Sequence, residues 1–154
     1  MNIKTLDPNA ESFEMDNSYF LIGLISRFNN SFQMSADNFF EELSWKQIFF
    51  LNCIKLFQGA PTIKEMAELI GCSHQNAKQI LSKLEKAGYV SISKDEVDRR
   101  KQRIAMTEKA KAFEEKYSKP SDEIMEKIFA GIKQKDIETT IKVLTQLDEA
   151  VKEI

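Results

Sequence analysis

The spacing of apolar residues shortens at Gly88 from three or four to two, and the change limits this part of the fold to helices followed by a short antiparallel sheet. Before it, Ile63, Met66, Ala67 and Ile70, then Ala77, Ile80, Leu81 and Leu84, recur every three to four residues, the repeat of helices with one inward face. After it, Val90 and Ile92 alternate with Ser91 and Ser93, and Ile104 and Met106 with Arg103 and Ala105, the repeat of half-buried strands. Thr62-Ile63-Lys64-Glu65 has the form of a capping box that opens the first of these helices, and Gly71 stops it. Ser73 is a good N-cap for the second, which reaches about Ala87. Two short helices joined through Gly71-Cys72-Ser73 form a helix-turn-helix, a spacing typical of DNA-reading motifs that also occurs in proteins binding no DNA. Lys94 to Lys101 is too polar for core and too long for a two-residue turn, so it projects from the sheet as a charged wing.

Helices flank this segment on both sides. From Asn17 to about Met34 the stripe Phe20, Leu24, Ile25, Phe28 and Phe32 predicts an amphipathic helix. Ser44-Trp45-Lys46-Gln47 is an S-x-x-Q box opening a helix to about Phe57, which Gln58-Gly59-Ala60-Pro61 ends. Thr107 caps a further helix, with a kink or break expected at Pro120. Beyond it, Ile124, Ile128, Phe129 and Ile132 form one apolar run, and Ile137, Ile141, Leu144, Leu147, Val151 and Ile154 a second at near-heptad spacing. That face is too apolar for a slender monomer to hide, so it is expected to pair with another subunit. The expected organisation is a partly ordered arm at 1–16, a dimerisation helix and linker at 17–42, a helix-turn-helix with wing at 43–106 and dimerisation helices at 107–154. The fold class is mainly α with a small β wing.

Length and composition agree: 154 residues suit one domain, or one small domain with an oligomerisation segment, and only 5 Gly and 3 Pro favour helix. The longest apolar stretch, Tyr19 to Ile25, is far short of the ~20 residues of a membrane span. Met1 to Pro8 lacks a basic region followed by an apolar core, so the expected location is the cytoplasm. Charge is unevenly placed. From Gly71 to Arg103 eight basic residues face four acidic ones, a net +4, which leaves −6 on the rest of a chain whose total is −2. A cationic module on an acidic body directs a polyanion to one face.

In order, these features resemble the MarR family of winged-helix transcriptional regulators. Leu43-Ser44-x-x-Gln47-x-x-x-Leu51 resembles the family's opening of the second helix. Met66-Ala67-Glu68-Leu69-Ile70-Gly71-Cys72-Ser73 is similar to its E-L-A-x-x-L-G-x-S segment. Leu84-Glu85-x-x-Gly88-Tyr89-Val90, then Asp98-x-Arg100 and Met106-Thr107, resemble its helix end and wing. Gln79 stands where the family commonly has Arg, so an operator sequence does not transfer, and Ala110 replaces the usual Gly.

The resemblance implies that the motif's second helix enters the major groove, presenting Ser73, His74, Gln75, Asn76, Lys78 and Gln79. Gln and Asn can pair with adenine N6/N7, which points to A·T content, and Lys favours guanine acceptors or phosphate. At the wing, Arg99, Arg100 and Lys101 gather positive charge where an Arg can enter a narrow minor groove. The resemblance further implies that Asp98 orients Arg100 through an ion pair. Lys83 and Arg103 complete the expected DNA-binding set. The implied assembly is a homodimer on double-stranded DNA with an inverted-repeat operator, acting as a repressor, with half-sites roughly 10 bp apart. Eleven of the fifteen aromatic residues lie in the first 57 positions. They would suit a cleft for a small aromatic effector, whose contacts the sequence leaves unassigned.

Other readings have thinner support. Cys72, before a helix N-terminus, suits a redox sensor, and a winged helix can serve protein binding alone. No Gly-rich phosphate loop or G-x-S-x-G turn points to an enzyme. Cys72 and His74 have no compact set of further ligands, so neither a metal nor another cofactor is expected.

Overall fold

Side-chain caps fix where the helices begin. A computed structural model describes residues 16–154, which form α1 (Asn17–Phe39), α2 (Trp45–Ile54), α3 (Ile63–Ile70), α4 (His74–Lys86), β1 (Val90–Lys94), β2 (Gln102–Met106), α5 (Glu108–Phe129) and α6 (Gln134–Val151). Asp16 caps α1 by accepting from the Ser18 N–H at 2.8 Å. Ser44 and Gln47 form a reciprocal capping box on α2, and Thr62 and Glu65 another on α3. Each satisfies amide donors that the first helical turn would leave unpaired. Gly71 ends α3 in the left-handed region at φ 71°, a conformation that a side chain would strain.

These caps place α3 and α4 around a small core. Met66 and Ala77, Leu81 and Leu84, and Ile104 of β2 are fully buried. Removing side chains of Leu, Ile or Met size from water contributes roughly 1.5–3 kcal/mol each. The hairpin is antiparallel, with Val90 opposite Met106 and Lys94 opposite Gln102. β2 is also paired on its far edge, where Thr62 bridges Arg103 and the Ile104 N–H donates to the Pro61 carbonyl at 2.9 Å. The loop before α3 thus anchors the wing's second strand to the helix-turn-helix.

The structure differs from the sequence expectation at three helix boundaries. α1 runs on to Phe39, because Ala36 and Phe40 are buried and the Asp37 carboxylate accepts from the Trp45 N–H that begins α2. α2 stops at Ile54 instead of Phe57; the next three N–H groups bond to carbonyls three residues back, a tighter turn than α-helix. No break occurs at Pro120, which lies inside α5. Proline removes only its own N–H, and the helix continues on both sides of that single lost bond.

The chain divides into two compact units, one ending at Ala110 and one spanning Lys111–Ile154. In the second unit α6 buries none of its residues; Ile141 is 59% exposed, Leu144 40% and Val151 64%. The arm expected at 1–16 lies almost wholly outside the described residues. Among those described, no helix is long and apolar enough to cross a membrane.

Candidate nucleic-acid interface

The face that α4 turns away from the core is set by the one it buries. With Ala77, Leu81 and Leu84 inward, Ser73, His74, Gln75, Asn76, Lys78, Gln79 and Lys83 are exposed. The Ser73 hydroxyl accepts from the Asn76 N–H at 3.2 Å. No carboxylate stands in the first turn, so no side chain of that turn neutralises the positive end of the helix dipole. At the other end, the Glu85 carboxylate accepts from the Ile92 N–H at 3.0 Å and ties the helix to β1. The Thr107 hydroxyl donates to the Gly88 carbonyl at 2.7 Å, and Lys109 lies over the Tyr89 ring at 4.5 Å. Tyr89 also donates to Glu42 at 2.9 Å, fastening the exit of α4 to the segment ahead of α2.

The wing loop, residues 95–101, is organised by two carboxylates. Asp95 accepts from the N–H groups of Val97 and Asp98 at 2.9 and 2.7 Å, and its own N–H donates to the Lys101 carbonyl. The Asp98 N–H and the Arg103 guanidinium together hold the Asp95 carboxyl down to about 2, so it is ionised across the physiological range. Asp98 accepts from both the N–H and the Nε of Arg100 at 3.2 Å, and Lys101 Nζ lies 4.0 Å from its other oxygen. The Arg100 side chain is nevertheless 92% exposed, with its Nε held by Asp98. Arg99 and Lys101 are exposed beside it.

Arg103 is placed differently from the other basic residues of the expected set. Its Nε donates to Asp95 and its Nη1 to the Ala60 carbonyl at 3.0 Å, with Glu65 Oε2 at 3.6 Å from Nη1. Glu65 in turn accepts from the Thr62 N–H at 2.7 Å and the Thr62 hydroxyl at 2.9 Å, bonds that with Arg103 lower its pKa. Sequence reasoning missed the roles of Asp95 and Glu65 toward Arg103. Strand register was the signal that could have found Asp95; Glu65 needed the separate pairing of Thr62 with Arg103.

Elsewhere, Phe28, Phe32, Trp45 and Phe49 form a continuous run of rings across α1 and α2, with successive centroids 5.8, 4.8 and 6.2 Å apart. Phe28 and Phe49 are exposed at its two ends. Cys53 is buried, which raises its thiol pKa, and Cys72 is half-buried; both are free thiols. Among the described residues no group of three or more His, Cys, Asp or Glu side chains is arranged to hold a metal ion.

Residues 43–101 match the model of the MarR family. The chain is similar to a MarR/EmrR family transcriptional regulator from Acinetobacter sp. ADP1, at a TM-score of 0.78 and 12% identity over 91% of this chain and 100% of that one. It is similar to the MepR of S. aureus, solved as a DNA complex, at a TM-score of 0.75 and 18% identity over 89% and 99% of the two chains. The PcaV transcriptional regulator from Streptomyces coelicolor, solved with its natural ligand, superposes at a TM-score of 0.76 and 15% identity over 90% and 99%. The mainly helical fold with its two-stranded wing is the winged-helix fold of MarR structures.

Proposed function

We propose that this chain, whose winged helix-turn-helix carries the MarR pattern at residues 43–101, is a homodimeric DNA-binding transcriptional regulator that represses by occupying an inverted-repeat operator. The observation that carries the reading is the pairing, in one unit, of a carboxylate-free first turn on α4 with a wing that holds Arg100 out into solvent. His74, Gln75, Asn76, Lys78 and Gln79 read or approach base edges in the major groove, with Ser73 serving as cap and Lys83 reaching phosphate. Arg100 enters the adjoining minor groove, oriented by Asp98 and flanked by Arg99 and Lys101. The exposed apolar residues of α6, together with Tyr19, Ile22 and Phe28 of α1, support a two-fold dimer that spaces the half-sites roughly 10 bp apart.

Duplex DNA from upstream of the protein's own gene, titrated at several salt concentrations, tests this. The expected log–log slope is steep, about −0.9 for each phosphate contacted. Weak, salt-independent association would sink the reading and favour a winged helix used for protein contact.

A small aromatic effector is the second element of the proposal, favoured by the ring run from Phe28 to Phe49 with its exposed ends. Phenolic compounds should raise the melting temperature and weaken operator binding. A ligand present at 100 times its Kd adds about 2.7 kcal/mol of apparent stability. A panel that leaves both readouts unmoved counts against an aromatic effector.

A further inference from the structure

Three parts of the first unit meet at Arg103. Its backbone bridges Thr62 on the far edge of β2, its Nε donates to Asp95 at the root of the wing loop, and its Nη1 reaches Ala60 and Glu65 beside and on α3. Both carboxylates have structural duties of their own. Asp95 gathers the N–H groups of Val97 and Asp98, and Glu65 closes the capping box that starts α3. Arg103 therefore joins the centre around which the wing loop folds to the first turn of the helix-turn-helix. Its side chain is 35% exposed against 92% for Arg100, and two of its three nitrogens already have protein acceptors.

We propose that Arg103 is a positioning residue, the middle of an Asp95–Arg103–Glu65 bracket that fixes the wing relative to α3 and α4, and not a phosphate contact. This rests on the DNA-binding reading above, because a fixed angle matters when α4 and the wing must enter neighbouring grooves together. A wing already in register loses little conformational freedom on binding, whereas a loose one must be ordered at that moment. A forked guanidinium suits the task, since its nitrogens point to different acceptors in one plane. A lysine ammonium at the same place would reach one carboxylate at a time.

Two measurements test the bracket. In the DNA-free protein, hydrogen exchange of the Val97, Asp98 and Lys101 amides should quicken about tenfold in Arg103→Ala, with the α4 amides unchanged. In operator titrations, Arg103→Ala and Asp95→Asn should each weaken binding about tenfold while leaving the salt slope at its wild-type value. Asp95→Asn is the sharper of the two, because removing a negative charge near a polyanion would by simple electrostatics tighten binding. Arg103→Lys keeps the charge and should still bind weakly. The bracket is overturned if the wing amides exchange as in the wild type, if Arg103→Lys restores full affinity, if Asp95→Asn binds more tightly, or if Arg103→Ala lowers the slope by about 0.9 per wing. Should the wild-type protein ignore duplex DNA altogether, the DNA-binding reading falls, and the exchange measurement still decides the bracket.

Discussion

The double variant Ile141→Asp/Leu144→Asp is expected to sediment as a monomer and to lose operator affinity by about 10²–10⁴-fold, the usual worth of tethering two weak readers to one target. Neither residue is buried within its own chain, and α6 buries none of its residues. The aspartates therefore remove nothing from a core, and circular dichroism should report unchanged helix content. What they disrupt is the proposed apolar contact between chains, where an unpaired carboxylate is costly to desolvate. The loss of affinity then comes through assembly, since the proposed reading surface on α4 and the wing is untouched. A variant that remains dimeric at micromolar concentration would show that α6 does not hold the subunits together.

Arg100→Ala should weaken operator binding about 100-fold with no change in unfolding midpoint. The Arg100 side chain is 92% exposed, so its removal creates no cavity, and Asp98 still accepts from the backbone N–H of residue 100. Hydrogen bonds to a charged group are worth about 1.5–3 kcal/mol each, and the proposed dimer loses the contact at both wings. The salt slope should fall by about 0.9 per wing, in contrast to Arg103→Ala, which should leave it alone. Affinity within a factor of two of wild type would remove Arg100 from the interface.

Much of this architecture was legible because the signals were local. The boxes at Ser44 and Thr62, the Ser73 cap and the Gly71 stop each lie within a few residues and form through bonds of one turn. The change of period at Gly88 marked both strands, since alternation along a hairpin depends only on which face is covered. The misplaced end of α1 had a more distant cause. The end of α1 is held by Asp37 reaching the N–H of Trp45, and nothing near Met34 announces it. Arg103 is harder still. As a basic residue beside Arg99, Arg100 and Lys101 it reads as one more cation for DNA. Its partners Asp95 and Glu65 are identified only after β1 pairs with β2 and β2 with the segment at Thr62.

The division of the chain at Ala110 has a genetic consequence. α4 and the wing lie in one unit, and α6, with its uncovered apolar side chains, lies in the other. In the proposed dimer, a copy with a ruined wing would keep an intact means of capturing its siblings. Made alongside normal copies, it would enter mixed pairs able to grip only one half of the proposed inverted repeat. Alleles damaged at Arg100 should therefore be dominant over the wild type, and alleles damaged on α6 recessive.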